Sequence, residues 1–276
     1  LPLESGYRTA LVNVGAMKNR GIELTLNSVN IDTKDFTWQT SLNYSFNKNE
    51  IDKLYNDLER VGNYFVGQSI NVIYTKRFGG IWQSDEAEIA KIYNAEPGDY
   101  KIIDRNRNNI IDDDDRDFVG QTTPQFFGSF SNTFKSHGFD LTIFLTYAGG
   151  HKIYNPFAYL DSYSPSANMS PDYYHNYWTP ERPSNKYPRL GSTNSQLYET
   201  DGMYQKGDYI RLKNLELGYT LPRNIANKVY ASNIRVYASV QNLVTFTKYT
   251  GFDVETSNAN PYPACRVFMG GLTVNF

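Results

Sequence analysis

The sequence is poor in residues and segments on which several protein classes depend. Cys265 is the only cysteine, which excludes an internal disulfide. His137, His151 and His175 are the only histidines, and they lie far apart, outside the spacings that zinc ligands adopt. No apolar run reaches about 18 residues, so the sequence predicts no transmembrane helix. The net charge is −2, and without a basic field nothing indicates a nucleic-acid partner.

Motifs for enzymatic chemistry are missing too. The sequence has no glycine-rich phosphate loop, no G-x-S-x-G nucleophile motif and no recognisable cysteine–histidine pair. Carboxylates are numerous, but no pattern brings two of them to the defined separation that glycoside hydrolysis requires. We therefore predict that the chain is not an enzyme.

Aromatic residues and long alternating segments are abundant. The chain has 23 Tyr and 16 Phe, and aromatic residues make up 15% of it. On both sides of a turn at 136–138, residues 126–135 and 139–148 alternate between apolar and polar, which predicts an antiparallel hairpin. Each arm is about as long as the 9–11 residues with which a tilted strand crosses a bilayer, and the aromatic arm ends suit membrane interfaces. A long edge hairpin of a soluble β-sandwich is the alternative.

The same alternation recurs along the chain and predicts eight strands. They span residues 7–14, 22–27, 36–46, 126–135, 139–148, 208–221, 234–241 and 268–276. From the second strand onward the links run short, very long, short, very long, short and medium, as the turns and loops of outer-membrane barrels do. We place a β-like piece at 72–82 and a short helix at 85–93 inside the first very long link, and a turn at 15–21.

This pattern predicts an all-β fold, an antiparallel transmembrane β-barrel with long extracellular loops. The loops are expected at about 49–121, 151–206 and 248–263. In the hairpin, Leu141, Ile143 and Leu145 are expected to contact the lipid bilayer, while Thr142 and Thr146 face a water-filled lumen.

Several stretches of the sequence carry a resemblance to a known family. They are NRGIELTLN (19–27), TWQTSLNYSFNKNEI (37–51), GGIWQSDEA (79–87), PGDYKIIDRNRNNIIDDDDR (97–116), YWTPERPSNKYPRL (177–190) and YIRLKNLELGYTLP (209–222). In this order they resemble the SusC/RagA-type TonB-dependent transporters of Gram-negative outer membranes. The resemblance implies the C-terminal part of such a protein, about eight strands of a barrel of about 22. The plug domain and the N-terminal strands are expected to lie outside this chain.

The same resemblance implies a function and partners. The intact protein is expected to import oligosaccharides or peptides across the outer membrane of a Gram-negative bacterium. A SusD-like lipoprotein is expected to cap it from outside, and the TonB complex to energise it through the N-terminal part. Two other functions stay open from the residues alone: a soluble all-β carbohydrate-binding module with calcium in a loop, and a passive porin.

An acidic stretch at 104–115 predicts a structural calcium ion. Six residues fall at the ligand positions of the twelve-residue calcium loop: Asp104, Asn106, Asn108, Ile110 (through its carbonyl), Asp112 and Asp115. Two residues depart from the pattern, because Asn109 stands where glycine is usual and Asp115 is shorter than the usual glutamate. The alternative is a solvated acidic turn whose aspartates are balanced by Arg105, Arg107 and Arg116.

A set of aromatic residues in the second very long link is the other candidate for binding. It comprises Tyr159, Tyr163, Tyr173, Tyr174, Tyr177 and Trp178. Such rings are suited to stack on sugars or to contact the lipoprotein lid. Packing of the loop against its neighbours is the alternative role.

Overall fold

A computed structural model describes residues 15–155, 171–192, 199–256 and 262–276. Strands dominate these residues. In chain order they are β1 (Gly15–Asp32), β2 (Phe36–Leu54), β3 (Arg60–Val61), β4 (Tyr64–Phe65), β5 (Val72–Lys76), β6 (Phe78–Ile81), β7 (Tyr100–Ile102), β8 (Arg116–Gln121), β9 (Phe126–Ser136), β10 (Phe139–Gly149), β11 (Lys152–Tyr154), β12 (Tyr204–Lys206), β13 (Tyr209–Thr220), β14 (Asn233–Thr247) and β15 (Val267–Asn275). The α-helices there are short: α1 (Ala87–Ile92), α2 (Pro171–Asn176) and α3 (Arg223–Ala226).

Seven long strands form one antiparallel sheet, which we call the wall. Their order is β1-β2-β9-β10-β13-β14-β15, so strands that follow one another among the seven are also neighbours in space. Seven of the eight predicted strands are thereby confirmed, and the remaining one, at 7–14, lies outside the described residues. The sheet is not closed into a barrel in this chain, because β1 and β15 are not paired with each other.

The strands nearest the start of the wall are longer than predicted. The turn predicted at 15–21 is wrong, because Gly15 pairs with Leu54 and Gly21 pairs with Asn47 in a continued β1–β2 ladder. A Cβ at Gly15 would lie 2.3 Å from the Lys53 carbonyl oxygen, so glycine allows the close approach. β2 also continues to Leu54, past the predicted end at 46.

The connections alternate in length as predicted. β1–β2, β9–β10 and β13–β14 are joined by short links, whereas β2–β9 and β10–β13 are joined by very long ones. Because each strand runs antiparallel to its neighbour, the short links share one edge of the wall and the long links share the other. In the β9–β10 turn, His137 and Gly138 have positive φ angles of 50° and 85°, as a tight two-residue hairpin turn requires.

The register separates apolar from polar side chains on the two faces of the wall. Leu26, Leu42, Phe130, Leu145, Leu212 and Val244 are paired in succession and form one apolar row across six strands. On the opposite face, the Thr25 hydroxyl donates to Asn43 at 3.0 Å, and Asn43 donates to Ser129 at 3.2 Å. Leu141, Ile143 and Leu145 thus lie on the apolar face, and Thr142 and Thr146 on the polar one, as predicted.

The apolar face is exposed in this chain. Leu217, Val236 and Leu272, for example, lie on three neighbouring strands and expose 52%, 48% and 64% of their surface. Exposed apolar side chains on adjacent strands indicate a face that contacts a partner or a membrane. No helix among the described residues is both apolar enough and long enough to cross a membrane.

Small strand pairs in the long links stand apart from the wall. β5 pairs with β8, and β6 pairs with β7, so the piece at 72–82 lies inside the first very long link as predicted. α1 begins at Ala87 and ends at Ile92, within the helix predicted at 85–93.

Candidate functional site

The two very long links pack into one body beyond the long-link edge of the wall. We call it the loop dome; its described residues are 55–125, 150–155, 171–192 and 199–207. Its core contains Ile81, Tyr100, Trp178 and Met203, which come from both links. The Trp178 indole N–H donates to the Gln83 side chain at 3.0 Å, across 95 residues of sequence. Such contacts fix the two links relative to each other.

The predicted aromatic set divides between the inside and the surface of the dome. Tyr173 is fully buried, its hydroxyl donates to the Pro188 carbonyl at 3.3 Å, and Trp178 is buried as well. Of the four members that the structure describes, Tyr174 is the most exposed, at 58%, whereas Tyr177 is half-buried and has the Arg182 guanidinium 4.7 Å from its ring centre. Tyr159 and Tyr163 lie outside the described residues. Contact of these rings with a ligand or a lid stays a prediction.

The stretch 104–115 folds as a tight loop around Asp104. Oδ1 of Asp104 accepts hydrogen bonds from the backbone N–H groups of Arg107 and Asn108, and Oδ2 accepts one from Asn109 at 2.7 Å. Partial desolvation acts to raise the pKa of Asp104, but these bonds and one from the Tyr93 hydroxyl outweigh it and lower the pKa. Asn109 has a φ of 65°, the left-handed conformation for which the calcium loop normally uses glycine.

The aspartates at the end of this loop are engaged with its backbone. Asp115 is buried, and its carboxylate accepts from the N–H groups of Arg105 at 2.7 Å and Asp112 at 3.0 Å. Arg116 pairs with Asp113 at 2.8 Å, which partly fits the alternative of a charge-balanced turn. Within the described residues, no group of three or more His, Cys, Asp or Glu side chains is arranged to hold a metal ion. A cation here would therefore depend on Asn and carbonyl oxygens as well, and it stays a prediction.

A buried ion-pair network that the sequence analysis missed joins the wall to the link after β14. Arg211 on β13 is buried; it donates to Asp253 at 2.6 Å, to Glu255 at 2.5 Å and to the Thr245 hydroxyl at 2.8 Å. Burial acts to raise the pKa of Asp253, but hydrogen bonds from the Ala264 and Glu255 N–H groups and from Arg211 lower it overall. The sequence did offer one signal for this network, because Arg211 is a charged residue within a predicted strand.

A second network lies on the polar face near the short-link edge. Arg235 donates to Asp140 at 3.0 Å and to Glu216 at 2.7 Å, so three neighbouring strands share one cation. These residues border an open cavity of about 650 Å³ that also includes Lys135 and Thr142. The polar face is therefore charged at one end and lined by small uncharged groups in its middle.

Comparison with known proteins identifies the family. The chain is 32% identical over its whole length to the TonB-dependent receptor P3 of Formosa agariphila, and 28% identical to the TonB-dependent receptor SusC of Bacteroides thetaiotaomicron. It covers 30% and 28% of those two proteins. The whole chain also superposes on 31% of a chain in the structure of the RagAB peptide importer in its closed-closed state, with a TM-score of 0.80 and 26% identity. No protein-family profile matches.

The chain is related over its whole length to part of the SusC/RagA-type TonB-dependent receptors. As part of such a receptor it is located in the outer membrane of a Gram-negative bacterium, and it is not an enzyme. The wall is accordingly a section of the receptor's antiparallel β-barrel. The chain spans less than a third of the length of the relatives it matches.

Proposed function

We propose that this chain supplies part of the barrel wall and outer loops of a transporter that imports oligosaccharides or peptides with energy from the TonB complex. The observation that carries the proposal is the two-faced wall in a chain related to TonB-dependent receptors over its whole length. The apolar face contacts lipid, and the polar face lines a passage filled by water and by the plug domain. The exposed edges of β1 and β15 pair with strands of the rest of the receptor, since a bilayer does not tolerate open sheet edges.

The exposed apolar face also separates this function from the alternatives. A soluble carbohydrate-binding module would leave Leu217 and Leu272 in water, at a cost of roughly 25 cal/mol for each Å² of apolar surface. A passive porin needs neither a plug nor an energy source, whereas the relatives are TonB-dependent receptors by name.

The loop dome lies on the outer side of the membrane in this proposal and receives a SusD-like lipoprotein lid. The similarity to the RagAB peptide importer supports a partner of this kind. Among the described residues of the predicted set, the exposed Tyr174 is available to the lid or to substrate, and Tyr177 is half-buried. The TonB complex acts through the part of the receptor outside this chain.

A calcium ion in the loop 104–115 is part of the proposal as a structural element of the dome. The left-handed Asn109 and the turn around Asp104 support it, because both match the backbone of a calcium loop. In this role the ion would close one loop of the dome and take no part in chemistry.

The decisive experiment is uptake by cells that produce the complete receptor. Cells are given radiolabelled oligosaccharides or peptides, and uptake is compared between the parent strain, a strain without the receptor and a strain without TonB. Loss of uptake in both deletion strains is expected. Uptake that continues without TonB would indicate a passive pore and contradict the proposal.

A further inference from the structure

A cluster of basic side chains continues the apolar face of the wall toward the long-link edge. On that face, Ile22 on β1 is paired with Phe46 on β2. The next pair on the same face is Arg20 and Lys48, and Lys18 follows two residues further along β1. We call Lys18, Arg20 and Lys48 the outer cation cluster. Successive pairs on one face are about 7 Å apart along a strand, so the cluster begins one such step beyond the last apolar pair.

Strand alternation and the contacts of a neighbouring residue fix the direction of these side chains. Successive side chains of a strand point to opposite faces, so the cluster shares its face with Leu26 of the apolar row. On the opposite face, the Asn49 side-chain oxygen accepts hydrogen bonds from the Ser69 hydroxyl at 2.8 Å and from the Ile70 N–H at 3.0 Å. Asn49 therefore turns toward the loop dome, and its neighbour Lys48 points away from the dome, toward the surroundings of the barrel.

The positive charges of the cluster are not balanced by the carboxylates near them. Arg20 and Lys48 lie directly opposite each other in the β1–β2 ladder, where like charges repel. Lys18 is paired with Asp52 at 2.5 Å. Lys48 contacts Glu50 at 3.3 Å, but 66% of the Lys48 side chain is exposed, and exposed pairs contribute little. Arg20 has no ion-pair partner among the residues that the structure describes. An anion lying between Arg20 and Lys48 would relieve their repulsion.

Aromatic side chains between the cluster and the middle of the wall mark a membrane interface. On the apolar face, one row of paired residues across the strands contains Tyr44, Tyr147 and Phe246. The next row toward the cluster contains Phe46 and Phe126. In outer-membrane barrels, girdles of this kind lie where the hydrocarbon core meets the lipid head groups. The cluster lies directly beyond the girdle, which is the depth of the head groups.

From these observations we propose that the outer cation cluster binds the phosphate groups of an anionic lipid in the outer leaflet of the outer membrane. The planar guanidinium of Arg20 can donate two hydrogen bonds to one phosphate, and the Lys48 ammonium supplies a second cation beside it. The acyl chains of the same lipid would pack on the apolar face next to Ile22 and Phe46. This continuity of basic and apolar surface favours a lipid over a free phosphate ion. The inference rests on the proposed function for one point, the position of the loop dome outside the cell.

The test measures the binding of single lipid molecules to the complete receptor, purified in a non-ionic detergent, by native mass spectrometry. The probes are diphosphoryl lipid A, monophosphoryl lipid A and phosphatidylcholine, which has no net charge. Diphosphoryl lipid A is expected to bind most tightly and phosphatidylcholine most weakly. The double variant Arg20→Ala/Lys48→Ala is expected to bind diphosphoryl lipid A about thirtyfold more weakly, because each cation near an anionic lipid surface strengthens binding about fivefold.

The matched control replaces one arginine and one lysine at the other edge of the wall. Arg223 and Lys228 are both exposed in the short link between β13 and β14, so Arg223→Ala/Lys228→Ala is expected to retain the parent affinity. Urea unfolding separates lipid binding from a purely structural role of the cluster. Without lipid A, removal of Arg20 and Lys48 is expected not to lower the stability, since these two cations repel each other. Diphosphoryl lipid A is expected to stabilise the parent receptor more than the cluster variant.

Several outcomes would overturn the lipid site. They are equal affinity of the parent and the cluster variant for diphosphoryl lipid A, an equal loss in the control variant, and equally tight binding of phosphatidylcholine. Competition by inorganic phosphate would show that the cluster takes a free ion instead of a lipid. Uptake of labelled oligosaccharides and peptides is measured in parallel, with and without TonB. Failed lipid binding beside normal TonB-dependent uptake would contradict only the lipid site, whereas parent uptake that does not need TonB would contradict the proposed function.

Discussion

The wall and the loop dome are stabilised in different ways, although they alternate along one chain. In the dome, side chains are buried among themselves: Ile81, Ala90, Tyr173 and Met203 are all nearly or fully inaccessible. In the wall, most apolar side chains are half-buried or exposed, and continuous ladders of backbone hydrogen bonds join the strands. The dome therefore folds around cores of its own, whereas the wall depends on lipid to cover its apolar face. A substitution should act on one region through packing and on the other through the bilayer.

The largest expected effect on stability is that of replacing Arg211, which is buried where the wall meets the link after β14. Arg211→Met removes the cation and leaves Asp253 buried without its partner, which typically costs about 3–5 kcal/mol. We expect the link 248–266 to detach while the wall stays folded. Hydrogen exchange of that link in the complete receptor measures the effect.

The neighbouring lysine offers a matched control for this prediction. Lys213 contacts the same Glu255 at 3.3 Å but is 38% exposed, so Lys213→Met should cost little. Equal exchange rates in the two variants would mean that the buried ion pair does not anchor the link.

The next largest effect is expected from placing an arginine on the apolar face of the wall rather than on the polar face. Ile143 lies midway along β10 on the apolar face, so Ile143→Arg should lower the free energy of unfolding by about 2–4 kcal/mol if that face contacts lipid. Thr142→Arg, on the polar face, should be tolerated. Urea unfolding of the receptor in lipid vesicles, followed by heat-modifiable mobility, measures both. Comparable losses in the two variants would show that the faces are not divided between lipid and water.

The same contrast explains which parts of the structure the sequence predicted. In the middle of the wall the two faces meet different surroundings, so residues such as those of β9 and β10 alternate and the strands were predicted. Toward the long-link edge, Lys18 and Arg20 on β1 pair with Glu50 and Lys48 on β2, and charged residues on both strands leave no alternation to detect. The extension to Leu54 was missed for this reason.

Long-range contacts were beyond prediction from the sequence. The dome is fixed by pairs such as Trp178 and Gln83, and the outer link by Arg211 and Asp253, which are 42 residues apart. No local period marks such partners. The loop 104–115 was recognisable because its turn depends on neighbouring residues, with Asp104 accepting from the N–H groups three to five positions later.

Low pH is expected to have a smaller effect on stability. It should loosen the link after β14, which Asp253 and Arg211 anchor, before it affects the wall. Because the folded-state pKa of Asp253 lies below its ordinary value near 3.8, its contribution to stability is complete above that pH. The contribution is lost as the pH falls through the lower, folded-state pKa. The protection factor of the link 248–266, which is the intrinsic exchange rate divided by the observed rate at the same pH, should therefore be constant from pH 7 down to about 4 and fall below it. Asp253→Asn should abolish this step, and an unchanged step in that variant would assign it to another group.

The smallest expected effect is that of calcium on the loop 104–115, because extracellular calcium sites of this kind bind with dissociation constants as weak as about 1 mM. At a calcium concentration ten times the dissociation constant, the ion reduces opening of the loop about elevenfold. Limited proteolysis of the complete receptor should then be roughly tenfold slower with calcium than with chelator, if cleavage follows the open population. Asp104→Ala should remove this difference, since Asp104 holds the turn through three backbone N–H groups.

The control for the calcium prediction is a neighbouring aspartate outside the ligand pattern. Asp114 is exposed and stands at position 11 of the loop, which supplies no ligand, so Asp114→Ala should keep the response to chelator. Asp112→Ala, at a ligand position, should lose it. If the parent protein is cleaved equally with and without chelator, the loop is a charge-balanced turn in which Arg116 and Asp113 pair, and the dome needs no ion to close it.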